Sequence, residues 1–138
     1  MPTPPVSHVG IAVADLGAAI ERYTLLLGRP PKVVEEVADM GVKVAVFETD
    51  NVVGGHIELL AATDPDSSIG RFVTRNGEGL HHVCIYVDDI EERLAALKSE
   101  GLRLIDETPR IGALGNRIAF VHPKGGHGVL IELEERAK

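Results

Sequence analysis

The chain has 138 residues, with 21 acidic against 14 basic side chains and a net charge of −7. Its 44% hydrophobic and 25% charged content belongs to a folded globular protein of one domain's length rather than to a disordered chain. The acidic balance lacks the basic stripe of a nucleic-acid binder, and no apolar run approaches the ~20 residues of a membrane span.

The single cysteine, Cys84, excludes an intrachain disulfide and fits a reducing compartment. The opening MPTPPV has neither a charged n-region nor an apolar h-region. No secretory leader is expected, and the cytoplasm is the expected location.

The first predicted strand covers His8 to Val13. Val9, Ile11 and Val13 alternate with His8, Gly10 and Ala12, which predicts a bulky face for a core and a small-residue face bearing one histidine. Asp15 is placed to cap a following helix. Leu16, Ile20, Tyr23 and Leu27 form its apolar stripe, and Gly28 stands where a helix end wants a left-handed residue. Residues 34–39 form a weak strand. Strands follow over Gly41–Phe47 and around Ile57-Glu58-Leu59. Residues 62–79 connect two halves and hold a short helix. Asp66 is its expected cap, Ile69, Phe72 and Val73 its apolar side, and Asn76-Gly77 its stop.

The pattern then repeats. SHVGIAVADL at Ser7–Leu16 is answered by HHVCIYVDDI at His81–Ile90, with His82 standing 74 positions after His8. Val83, Ile85 and Val87 alternate with His82, Cys84 and Tyr86. Asp89 caps a second helix with Ile90, Leu94 and Leu97 along one side, and Gly101 closes it. Residues 103–106 are a weak strand. Gly115–Val121 lies over Gly41–Phe47 and Ile131-Glu132-Leu133 over Ile57-Glu58-Leu59 at the same offset. Each half therefore reads strand, helix, then about three strands. A repeat of this kind decides the fold. The expected boundaries are residues 5–62 for the first module, 63–79 for the connection and 80–136 for the second module, all within one domain.

Two residues with ligand chemistry recur, a histidine in the first strand and a glutamate in the last. Alone, each reads as surface or hydrogen-bonded. Together they change the reading. If the halves pack about a pseudo-twofold axis, His8, Glu58, His82 and Glu132 converge. Two imidazoles and two carboxylates suit one divalent ion: Co²⁺, Mn²⁺, Ni²⁺, Zn²⁺ or Fe²⁺. Four protein ligands around an octahedral ion leave two positions open. His81 should point away from His82. His56 points with Glu58 but has Leu130 at its offset. His122 and His127 lie in a loop. These four read as structural or ligand-contacting.

At this point the chain resembles the vicinal-oxygen-chelate superfamily, and within it the methylmalonyl-CoA epimerases. The residues behind the resemblance are HVGIAVADL, PDSSIGRFVTRNGEGLHHVCIYVDDI and RLIDETPRIGALGNRIAFVHPKGGHGVLIEL. GEGLHH at Gly77–His82 and His122-Pro123-Lys124 are its most specific parts. The resemblance implies an α+β fold of two tandem βαβββ modules forming one eight-stranded, half-open barrel-like sheet with a central metal cleft.

The implied reaction interconverts (R)- and (S)-methylmalonyl-CoA. The α-proton leaves a carbon flanked by thioester and carboxylate, and a Lewis acid stabilises the enolate. Acid–base groups must reach both faces of that intermediate. Glu132 is implied as both ligand and acid–base group.

Several family members carry a second catalytic glutamate where this chain has Val44, and many have glutamine at Glu58. Glu48 shares Val44's face but stands about 13 Å along the strand. Glu58 ranks first for the second face, ahead of a metal-bound water or Lys43. Substrate-binding candidates are Lys124, Arg117, Arg71 and Arg75, with Gly115 and Asn116 in a glycine-rich loop. The expected partner is a small acyl-CoA, and a homodimer is expected. Rival readings are a glyoxalase I-type hemithioacetal isomerase, a dioxygenase, and a non-catalytic binding or resistance protein of the same fold. The full set of four ligand-type residues favours an enzyme.

Overall fold

The structure, a computed structural model, describes residues 5–48 and 54–136. Most of the opening stretch MPTPPV, which bears on the expected absence of a leader, lies outside them. The chain divides into two compact units: His8–His81, and Met1–Ser7 joined to His82–Lys138. The boundary falls between His81 and His82, so the connecting segment and its helix belong to the first unit.

The first unit holds β1 (Val6–Ala12, beginning in the other unit), α1 (Leu16–Leu27), β2 (Val33–Val37), β3 (Val42–Phe47), β4 (His56–Ala62) and α2 (Ser68–Asn76). Its sheet runs β2-β3-β4-β1. β1 lies parallel to β4, while β4, β3 and β2 pair antiparallel. α1 starts where expected: the Asp15 side chain accepts from Ala18 N–H at 3.1 Å. Gly28 ends it at φ 77°, a conformation glycine adopts at no steric cost.

Both faces of this sheet are covered. Val13, Ala45, Phe47, Leu59 and Ala61 pack with Leu16, Ile20 and Tyr23 of α1. Ala12, Val42, Val44, Val46 and Leu60 pack with Ile69, Phe72 and Val73 of α2. The bulky face of β1 packs as expected, with Val13 in the core under α1 and Ile11 against it; the correction is that the small-residue face is buried as well. Ser7, His8, Gly10 and Ala12 are buried, whereas Val9 and Ile11 are only half-buried. The physical reason is α2, whose apolar side lies on the small-residue face. The cap of α2 is a second correction. Ser67, not Asp66, accepts from Gly70 N–H at 3.1 Å, because the first helical residue is Ser68 and the residue directly before it is the one whose side chain reaches the N3 N–H. Asp66 instead donates its own N–H to Asp64 Oδ1 at 2.9 Å.

The second unit repeats the plan with β5 (Gly79–Val87, entered from the first unit), α3 (Ile90–Ser99), β6 (Arg110–Ile111), β7 (Arg117–Val121) and β8 (Ile131–Glu135). Its sheet runs β5-β8-β7-β6, again with one parallel and two antiparallel pairings. The Asp89 side chain accepts from Glu92 N–H at 3.1 Å, and Gly101 takes φ 84°. Val87, Ile90, Leu94, Ala119, Val121 and Leu133 form the core under α3. Residues 103–106 do not form a strand. Leu104 makes only an isolated bridge to Val121, and the pairing edge is β6 instead.

The repeat is a repeat of register. Gly10 stands beside Glu58 and Val46 opposite it. Cys84 stands beside Glu132 and Phe120 opposite it. The expected tandem βαβββ modules of an α+β fold are borne out. No helix among the described residues is long and apolar enough to cross a membrane.

Candidate metal centre and acid–base site

In the first unit, strand alternation puts Glu58 on the face of Leu60 and His8 on the face of Gly10 and Ala12, the α2 side of the sheet. His8 Nε2 lies 3.4 Å from Glu58 Oε2. In the second unit, His82 and Glu132 occupy the equivalent places. His82 Nε2 lies 3.1 Å from Glu132 Oε1, and the Phe120 ring meets the His82 imidazole edge-on at 6.1 Å between centroids.

All four residues are buried, at 8% (His8), 6% (Glu58), 4% (His82) and 7% (Glu132) exposure. Carboxylates are almost never this buried without a partner. In each unit the partner is the repeated histidine. An imidazole nitrogen and a carboxylate oxygen, buried and close, are the donors a borderline divalent ion takes. The donor set fits such an ion.

One further carboxylate is buried on the face of His82. Glu134 accepts from Ser7 Oγ at 2.6 Å and from Asn116 Nδ2 at 2.5 Å, and Cys84 Sγ lies 3.6 Å away. Sequence reasoning missed Glu134. Its signal was Leu60 at the same repeat position, a charge in one half answering an apolar residue in the other. Burial pushes the Cys84 thiol far up, and the Glu132 and Glu134 carboxylates push it further. Cys84 therefore stays protonated.

The remaining candidates separate. Asn116 is held by Glu134, and Gly115 lies in the turn before it, at φ 91°. Arg117 needs correcting. Register places it with Ala119, facing α3, where it pairs with Glu91 and with Glu135 at 3.4 Å. That is the sheet face opposite His82 and Glu132. Arg71, Arg75 and Lys124 are exposed.

Val44 is 1% exposed, opposite Leu60 in an apolar cluster. Glu48 pairs with Lys32 at 2.8 Å. Lys43 is exposed and alternates to the face opposite Val44. His81 lies edge-on to Phe72 at 4.9 Å, and His56 neighbours His8 in register. His122 Nδ1 accepts from Lys124 N–H at 3.0 Å. His127 takes φ 54° at the end of the 3-10 turn Pro123–Gly126.

The family model described as Glyoxalase/Bleomycin resistance protein/Dioxygenase superfamily matches residues 7–120, and the chain belongs to that superfamily. Within it, the chain is 38% identical over 132 residues to the ethylmalonyl-CoA/methylmalonyl-CoA epimerase of Cereibacter sphaeroides, covering 94% of this chain and 96% of that one. The solved methylmalonyl-CoA epimerase from Mycobacterium tuberculosis is 39% identical with a TM-score of 0.89, over 99% of this chain and 90% of that one. A methylmalonyl-CoA epimerase in complex with methylmalonyl-CoA and NH4+ matches with a TM-score of 0.89 at 34% identity, over 99% and 96%. The fold is that of these proteins, and by this kinship the chain is an isomerase of the racemase and epimerase class.

Proposed function

We propose that the chain interconverts the (R) and (S) forms of methylmalonyl-CoA, with His8, Glu58, His82 and Glu132 holding one divalent ion, Co²⁺ first among the candidates. The observation that carries this reading is the duplicated pair: a buried histidine–glutamate contact at the same register in each unit. The relatives' activity supports it.

The chemistry such an ion supplies is Lewis-acid stabilisation of the charge that develops on a thioester oxygen. The chain's own residues move the proton. Glu132, whose carboxylate lies 3.1 Å from His82, takes the α-proton. The resulting carbanion is planar and delocalised, so a proton returned from the other face inverts the centre. Glu58 is assigned that second role. The position used for it in some family members is Val44, sealed among Ala12, Val42 and Leu60, where a charge would have no partner. Glu48 is committed to Lys32. The lone buried Cys84 suits a reducing compartment. We place the enzyme in the cytoplasm, acting as a homodimer on a small acyl-CoA.

The test is conversion of one pure epimer to the equilibrium mixture by the purified, cobalt-loaded chain. Conversion supports the reading. A folded, loaded protein that leaves the epimer untouched would remove it.

A further inference from the structure

A substrate of the proposed kind has a carboxylate on the reacting carbon, and the second unit's sheet face already carries the buried acids Glu132 and Glu134. In a chain of net charge −7, a further anion there needs a local cation. Arg117 points the other way. Arg110 does not.

Arg110 opens β6 and stands opposite Ile118, which stands opposite Glu134. It therefore shares the face of Phe120, Glu132 and Glu134. Its Cζ lies 5.3 Å from the Phe120 ring centroid, and that same ring packs against His82. Asp106 Oδ2 lies 3.4 Å from Arg110 Nε and also accepts from Phe120 N–H at 2.9 Å. One carboxylate thus ties the arginine to the strand beneath it. The two terminal nitrogens make no hydrogen bond or ion pair among the described residues, and the side chain is 49% exposed.

We propose that Arg110 is a substrate-binding residue whose terminal nitrogens take the free carboxylate of the acyl group, with Asp106 and Phe120 as its positioning residues. This rests on the epimerase reading of the site. The guanidinium fork matches a carboxylate through two parallel N–H···O bonds, and the cation–π contact with Phe120 helps to hold it over the strand. Arg110 then sets specificity. It distinguishes an acyl-CoA with a second carboxylate from one without.

The test is equilibrium binding of methylmalonyl-CoA and propionyl-CoA to the full chain and to Arg110→Gln and Arg110→Lys. The two ligands share every phosphate and differ by the carboxylate. Arg110→Gln should weaken methylmalonyl-CoA about 10- to 100-fold and leave propionyl-CoA unchanged, with Arg110→Lys recovering part of the loss. An equal loss for both ligands would assign the arginine to a phosphate and overturn the proposal. So would no loss, or a wild-type chain that binds both equally. Selective binding without epimerisation would sink the parent reading and leave Arg110's role standing.

Discussion

Glu58 and Glu132 hold equivalent places in surroundings that differ. Glu58 faces Val46, beside Gly10 and near Leu60. Glu132 faces Phe120, beside Cys84 and near Glu134. If they serve opposite faces of one carbanion, neither can replace the other. Glu132→Gln and Glu58→Gln should each lower the epimerisation rate by about 10²- to 10⁴-fold while the thermal melt stays close to wild type, since glutamine keeps the shape. Full activity in metal-loaded Glu58→Gln would remove the second assignment. Cys84, 0% exposed with its thiol pushed up by burial, should resist alkylation at neutral pH in the folded chain and react fully in denaturant. Rapid labelling of native protein, counted by mass, would contradict that placement. Arg110 shows the limit of reading residues singly. In ETPRIG it looks like any solvated arginine, and only the β6–β7 pairing lays it over Phe120.

Among the elements, α2 depends most on close approach. A Cβ added at Gly70 would meet the Pro65 carbonyl oxygen at 2.5 Å, and backbone cannot step aside cheaply. Gly70→Ala should cost about 1–3 kcal/mol, read as a lower denaturation midpoint. An unchanged midpoint would mean that α2 has slid. The 3-10 turn Pro123–Gly126 carries a pH signature. Desolvation lowers the His122 pKa from 6.5, helped by the Arg103 and Lys124 charges, so the native state favours the neutral ring that accepts from Lys124 N–H. Its stabilisation is complete above 6.5 and fades as pH falls through the native value. An NMR titration should place the His122 midpoint below 6.5, and a midpoint above 6.5 would refute the account. The helix ends at Asp15, Gly28, Asp89 and Gly101 were legible in the sequence because caps are local chemistry. The covering of β1's small-residue face by α2 and the site of β6 were not, because each depends on a partner brought from elsewhere in the chain.

For the whole molecule, the informative feature is the offset of 74, carried from sequence into the register of β1, β3 and β4 against β5, β7 and β8; only the edge strand slips, Arg110 meeting Ile118 where Glu35 meets Val44. The offset made the fold and the two histidine–glutamate pairs readable, since a ligand that recurs in register is hard to explain as surface decoration. The differences between the halves were less readable. Glu134 over Leu60 and Arg117's commitment to Glu91 and Glu135 need packing to interpret. If the two pairs hold one ion, a hundredfold excess of Co²⁺ over its dissociation constant should add about 2.7 kcal/mol of stability. His82→Ala should abolish that gain, read in the melting temperature without any substrate.

The measurement closest to the central claim is solvent deuterium exchange into the α-carbon of methylmalonyl-CoA, with Co²⁺ and with chelator. Rapid exchange that chelator stops and Co²⁺ restores is the predicted result. A folded, cobalt-loaded chain that leaves the α-proton in place would contradict the account.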